Sequence, residues 1–247
     1  MIGRVVVVIC LAAFLVGGVG LYGASRRQEP AVRRARLIKF ITYFLIVNVV
    51  VLSALAGRGI LSGLIAVVAL AGARELYRVL PQASGERLAV EWALSIFYLS
   101  IAAGAVMFTW LSPPGMTVFV YLVVCAFDGF SQVTGQLLGK HRLAPRISPG
   151  KTIEGSVGGL LFAIGMALVL LPVVGLSVLR DVISGCFIVA AALSGDLLAS
   201  WVKRKGKVKD FGTLLPGHGG VLDRFDSFLF AAAACLLAAN LCGRMSH

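Results

Sequence analysis

Eight apolar stretches divide this chain almost from end to end, at about 2–23, 38–57, 60–80, 92–111, 115–136, 155–177, 181–202 and 225–243. Each is close to the roughly twenty residues that a helix needs to cross about 30 Å of hydrocarbon. Such a chain has few options, because backbone exposed to lipid must satisfy its own hydrogen bonds and a single stretch can do so only as a helix. The expected fold class is therefore all-α, a polytopic integral membrane protein with about eight transmembrane helices. Composition agrees: 59% of the residues are apolar and 14% charged, whereas about a quarter of a soluble domain is charged.

Charge sets the orientation. The chain carries 23 Lys+Arg against 11 Asp+Glu, a net +12. All the basic residues except Arg4, Arg58, Arg180 and Arg244 fall after the first, third, fifth and seventh stretches. Cytoplasmic loops collect Lys and Arg, so the alternation predicts both termini outside and the basic loops inside. It also argues against cleavage of the first stretch as a secretory signal, which Arg4 and Gly23-Ala24 would otherwise suit. Cleavage would leave the Arg26–Lys39 cluster outside. Short basic clusters between apolar runs suit headgroups and phosphates, and exclude a soluble nucleic-acid binder. Cys10, Cys125, Cys186, Cys235 and Cys242 lie in apolar runs with no CxxC spacing and read as buried small hydrophobes. No repeat or second domain interrupts the pattern. The organisation expected is N-terminal transmembrane helices over 1–112 and a catalytic transmembrane region over 113–247, with cytoplasmic loops at 137–154 and 203–224.

Carboxylates within apolar helices are costly, and normally line a polar cavity with a partner. Asp128 follows Val118–Phe127, and Asp196 follows Ile188–Gly195. The bland alternative is an Asp hydrogen-bonded to a neighbouring helix. Asp196, Ser200 and Lys203 fall at i, i+4 and i+7, which sets acid, hydroxyl and ammonium on one helical face. Asp223 and Asp226, three apart, share a face if the last helix begins there. Three carboxylates at the ends of two helices can make the all-oxygen site that Mg²⁺ prefers; alternatively, Asp223 is spent on a salt bridge to Arg224 or Lys209. Between these acids lie the basic run Lys203–Lys209 and the turn Leu215-Pro216-Gly217-His218-Gly219-Gly220. Glycines permit φ > 0 and close approach of N–H groups to an anion, so a phosphate cradle is expected here. Pro145–Glu154 is a second, weaker candidate, with Ser148, Lys151 and Thr152 as donors, against an ordinary turn.

Residues 200–226, from Ser200-x-Val202-Lys203-Arg204 through Lys209-Asp210, Leu215-Pro216-x-His218-Gly219-Gly220 and Asp223-Arg224-Phe225-Asp226, resemble the C-terminal pattern of the phosphatidate cytidylyltransferase (CDP-diglyceride synthetase) family. Gly139-Lys140-His141 through Pro149-x-Lys151-Thr152-x-Glu154-Gly155 is similar to that family's middle block. The resemblance covers about residues 125–228, and departs from the family at Gly129-Phe130-Ser131, Ile153 and Ala199. It implies transfer of CMP from CTP to phosphatidate, giving CDP-diacylglycerol and pyrophosphate with Mg²⁺ and room for a second cation. Asp196, Asp223 and Asp226 are then the expected metal ligands, with Ser200, Lys203 and Arg204 beside them as catalytic residues. Substrate binding falls to Asp128, Lys140, Ser148, Lys151, Thr152, Glu154, Lys209, Asp210 and Arg224, with His218, Gly219 and Gly220 shaping a pyrophosphate loop. Expected partners are CTP, phosphatidate and the lipid bilayer, with no nucleic acid and with room for a second copy of the chain. The expected setting is a bacterial inner membrane with the site facing the cytoplasm. Two alternatives stay open: a CTP-dependent kinase of a polyprenol, dolichol or phytol, and a non-catalytic lipid-binding or transport protein.

Overall fold

A computed structural model describes residue 15 and residues 29–84, 87–175, 177–217, 219–241 and 243. Among residues 29–243 so described there are eight helices: α1 (Pro30–Ala56), α2 (Arg58–Ser84), α3 (Leu88–Leu111), α4 (Pro114–Leu138), α5 (Ile153–Val169), the single turn α6 (Leu171–Val174), α7 (Val178–Lys205) and α8 (Leu222–Leu241). Five of them, α1, α2, α3, α4 and α7, are long and apolar enough to cross a membrane; α5 is apolar but shorter. The fold is thus an all-α membrane bundle, in which the expected count of about eight spans is not reached among the described residues. The stretch 2–23 lies outside them.

The expected span 155–177 is broken. Leu170 closes α5, Pro172 starts α6, and Gly175 ends it with φ 67. Proline supplies no N–H for a continuing ladder, and a left-handed residue terminates one, so the break follows from those two positions. At the other end of the chain, α8 starts at Leu222, ahead of the apolar run, and takes Asp223 into its first turn.

Helices in lipid associate by close packing of small residues, since burial against lipid gains little. The α4–α5 pair shows this. A Cβ on Gly155 would lie 2.7 Å from the Ser131 carbonyl oxygen, and one on Gly159 would lie 2.7 Å from that of Phe127. Aromatics fill the centre: Tyr121 stacks on Phe225 with ring centroids 6.3 Å apart and meets Phe228 edge-on at 5.3 Å. Leu45, Leu52 and Leu55 of α1 point outward, as lipid-facing side chains would.

The segment between α4 and α5 forms an antiparallel hairpin, β1 (Arg142–Ala144) and β2 (Ser148–Thr152), where the sequence suggested only a proline-stiffened loop. Arg204 Nε at the end of α7 donates to the Ile147 carbonyl at 3.2 Å, so the hairpin and the α7–α8 loop lie at one end of the bundle. That geometry yields a labelling test. In a background without native cysteines, Arg146→Cys and Lys205→Cys should react with a membrane-impermeant thiol reagent from one face. Arg58→Cys, at the start of α2, should react only from the other; labelling of 146 and 205 from opposite faces would break the shared end.

Candidate active site

A cavity of about 250 Å³ opens where α4, the hairpin, α7 and α8 meet. Four carboxylates line it, Asp128, Asp196, Asp223 and Asp226, together with three cations, Lys151, Lys203 and Arg224. Asp128 comes from α4, Asp196 from α7, and Asp223 and Asp226 from one turn of α8.

Asp196 projects from α7. Its Oδ1 accepts from Ser200 Oγ at 3.2 Å, one turn on, and its Oδ2 pairs with Lys151 of β2. The i, i+4 pair read in the sequence is therefore present. Lys203, at i+7, turns instead to Asp223: Nζ lies 2.9 Å from Oδ1 and 5.3 Å from the centroid of the Phe211 ring. The other oxygen of Asp223 accepts from the backbone N–H of Phe211 at 2.8 Å and of Gly220 at 2.9 Å. With its side chain 1% exposed, Asp223 is spent on holding the α7–α8 loop. A salt bridge was one reading of this residue, but its partner is Lys203 rather than Arg224 or Lys209. Asp226 Oδ1 accepts from the Ser227 N–H at 2.7 Å. Among the described residues neither Asp128 nor Asp226 forms an ion pair, and no three His, Cys, Asp or Glu side chains form a ready-made metal cluster.

The glycine turn behaves as its composition suggested in one respect: Gly217 and Gly219 have φ 74 and 84. His218, between them, lies outside the described residues. In another respect it differs from an open phosphate cradle, because its N–H groups face protein carboxylates. Gly220 donates to Asp223, while Val221 and Leu222 donate to Glu75 at 2.9 and 2.8 Å. Glu75 sits on α2 and is 6% exposed. A Cβ on Gly220 would lie 2.4 Å from Glu75 Oε2, and one on Gly212 would lie 2.6 Å from Oε1, so only bare backbone fits beside this carboxylate. Sequence reasoning missed Glu75. The one signal available was an acid within the apolar stretch 60–80, the same signal that marked Asp128 and Asp196.

Other expected site residues lie at the cavity wall or outside it. Thr152 caps α5, its Oγ1 accepting from the Gly155 N–H at 3.0 Å, and it lines the cavity. Ser131, one of the departures from the family pattern, also lines the cavity, and its buried Oγ has no hydrogen-bond partner. Ser148 pairs with Ala144 in the hairpin, and Arg204 bonds the Ile147 and Val208 carbonyls; neither reaches the cavity. Lys140, Lys209 and Asp210 are exposed, and Asp210 packs beside Gly219. Glu154, just before the apolar run that begins at Gly155, accepts from His141 Nδ1 at 2.6 Å and from the N–H groups of Lys140 and His141. The His141 contact first, then the backbone donors, hold its carboxyl down at about 2. The acid therefore stays ionised below its ordinary range, and this clasp on the hairpin weakens progressively as pH falls from 4.5 toward about 2.

The Cytidylyltransferase family model matches residues 93–242. The chain belongs to that family. The matched span runs from within α3 to the end of the described bundle and includes all four cavity aspartates, while Glu75 lies outside it. Among curated relatives, the phosphatidate cytidylyltransferase of Staphylococcus saprophyticus is 45% identical over 114 residues, 45% of this chain and 44% of that protein. That of Staphylococcus aureus strain COL is 42% identical over the same length and shares. The uncharacterized protein YnbB of Escherichia coli K12 is 35% identical over 145 residues, 57% of this chain and 49% of that one. The chain spans about half the length of the curated relatives it matches.

Glu75 supports a specific expectation. Glu75→Ala strands two buried N–H groups at the start of α8, and should destabilise the loop by about 2–4 kcal/mol. Glu75→Gln, keeping one acceptor oxygen, should cost less. Hydrogen exchange at Val221 and Leu222 reads this; unchanged protection in Glu75→Ala would show that the carboxylate does not hold the loop.

Proposed function

We propose that this protein is a phosphatidate cytidylyltransferase, transferring CMP from CTP to phosphatidate in phospholipid synthesis, with its site open to the cytoplasm. The observation that carries the reading is the cavity itself, in which acids and bases crowd together at the end of a membrane bundle. The family assignment and the printed names of the Staphylococcus relatives support the same reading. In the reaction an oxygen of the phosphatidate phosphate bonds to the α-phosphorus of CTP. The bond from that phosphorus to the oxygen bridging to the β-phosphorus breaks, and pyrophosphate leaves. A phosphate monoester is already largely dianionic near neutral pH, with a second pKa of about 6, so the nucleophile needs little help from a base. The barrier lies in bringing two polyanions together, which fixed cations and alignment relieve.

Lys151, Lys203 and Arg224 line the cavity and supply those cations. Lys203 is held by Asp223 and Phe211 and so is fixed before substrate arrives. The orphan hydroxyl of Ser131 offers a further donor.

The donor set suits Mg²⁺, which takes one or two carboxylates and completes its shell with water and substrate phosphates. Asp196 and Asp226 would hold it, with Asp128 beside them; Asp223 would join only by releasing Lys203. Bound there, the ion would offset phosphate charge at the α-phosphorus. Asp223 is engaged by Lys203 and the loop, so this reading gives the ion first to Asp196 and Asp226 and keeps Asp223 as the third candidate ligand.

The purified chain in mixed micelles with phosphatidate, Mg²⁺ and CTP labelled at the α- or γ-phosphorus tests the reading. Label from the α-position should enter lipid and pyrophosphate should be released. Label entering lipid only from the γ-position would indicate a kinase, and no release would indicate a non-catalytic protein. Asp196→Asn and Asp226→Asn should each lower kcat roughly 100-fold or more, and chelation of Mg²⁺ should abolish turnover. The placement of Arg204 outside the cavity makes a finer claim: Lys203→Gln should cost at least roughly 10-fold more in kcat than Arg204→Gln. Equal losses would return Arg204 to the phosphate site.

A further inference from the structure

The two lysines that pair with cavity acids are held differently. Lys203 is locked: its partner Asp223 has a side chain 1% exposed and takes two backbone N–H groups as well, and the Phe211 ring lies against the ammonium. Lys151 is held by one ion pair, to Asp196 Oδ2, and the two side chains of that pair are 21% and 24% exposed. The backbone on either side of Lys151 is fixed. Ser148 pairs with Ala144 and Thr152 with Arg142 across the hairpin, the Ile153 N–H donates to the His141 carbonyl at 2.9 Å, and Arg204 holds Ile147. Freedom is therefore left to the flexible four-carbon side chain, whose ammonium can change partner without any change of fold. The acids differ in the same way. Asp196 has Ser200 on Oδ1 at 3.2 Å and Lys151 on Oδ2. Asp226 has the Ser227 N–H on Oδ1, and its Oδ2 is in no hydrogen bond or ion pair among the described residues.

We propose that Lys151 competes with the divalent cation for Asp196, and that on yielding the carboxylate it turns its ammonium to the substrate phosphate in the same cavity. The proposal rests on Asp196 and Asp226 as the ion's ligands, and adds an order of events: Asp226 is open to the cation first, and Asp196 joins as Lys151 leaves. An ammonium and a divalent cation cannot crowd onto one carboxylate oxygen, since their like charges repel strongly away from bulk water. Asp196 must therefore exchange one for the other. The exchange keeps the charges matched throughout, because Asp196 stays paired until the ion replaces the lysine, and the ammonium is released where an anionic substrate meets it. Lys203, packed on Phe211 and bound to an acid closed off from the cavity, makes no such exchange. Lys151 is thus a positioning residue for the ion as well as a contact for phosphate.

The full chain in detergent micelles, without nucleotide or lipid, tests this by brief acetylation with acetic anhydride and peptide mapping. Mg²⁺ should raise labelling of Lys151 by at least roughly threefold as the ammonium loses its carboxylate. Lys140, exposed just ahead of the hairpin, should label equally with and without the ion. Labelling of Lys151 that Mg²⁺ leaves unchanged or lowers overturns the proposal. Mn²⁺ binding, read from the EPR signal of the free ion, checks the competition from the other side. Lys151→Met removes the ammonium and keeps an unbranched chain, so it should bind Mn²⁺ at least roughly 10-fold more tightly than the unsubstituted protein. Arg224→Met removes a cavity cation not paired with Asp196, and should tighten binding less than roughly threefold. Equal gains in the two variants would mean general charge repulsion, and no gain or no Mn²⁺ binding in Lys151→Met would mean that the lysine does not compete; each overturns the proposal. CMP transfer by the unsubstituted chain is read separately. Exchange at Lys151 without transfer would remove the cytidylyltransferase reading, and transfer without exchange would remove only this proposal.

Discussion

Two buried carboxylates, Asp223 and Glu75, hold the site together. Asp223 takes Lys203 on one oxygen and the N–H groups of Phe211 and Gly220 on the other; Glu75 takes those of Val221 and Leu222. A buried charge is tolerable only when fully partnered, and N–H groups at the edge of a bilayer are equally costly when orphaned. Each solves the other's problem here. The loop closes on itself through Asp223 and is tied to α2 through Glu75, so α8 can start at Leu222 and aim Asp226 into the cavity.

That arrangement divides the acids by task. Asp223 and Asp196 each have a lysine, whereas Asp128 and Asp226 face the cavity without an ion pair among the described residues. An excess of carboxylate over fixed cation is unfavourable for a resting bundle and favourable for one that must attract a divalent ion together with anionic substrates. The two lysines then have a second use. Already paired, they sit in fixed geometry, and a phosphate entering the cavity competes for a cation that needs no further ordering.

Much of this was legible in the sequence, and the limits are physical. Helix existence followed from hydropathy, and the face shared by Asp196 and Ser200 from the 3.6-residue period, because both are local properties. The break at Leu170 carried local signals too, Pro172 and Gly175, but a continuous apolar run outweighed them. What stayed hidden depended on contacts between distant residues. Nothing local says that Glu75 lies under Gly220, or that Lys203 prefers Asp223 across a loop to Asp196 on its own helix. The glycine turn illustrates the same limit from the other side: its positive φ values at Gly217 and Gly219 were foreseeable, yet nothing local says that the Gly220 N–H goes to Asp223 and the next two, of Val221 and Leu222, to Glu75 of α2.

The position of Asp226 joins these constraints. A water-soluble triphosphate and a membrane lipid can react only at a depth that both reach, and a polar cavity cut too deep would leave carboxylates in hydrocarbon. One turn into α8 is about 5 Å along the axis, which sets Asp226 just below the loop that Glu75 and Asp223 hold. Above it lie the cations of the reaction cavity; below it the helix is lined by Phe230, Ala233 and Ala234. Were α8 to start beyond Asp226, that carboxylate would leave the helix and the polar cavity would lose it from its wall. The early start held by the two buried acids is thus what lets a single helix carry a carboxylate into the polar cavity at one end and present apolar side chains along the rest.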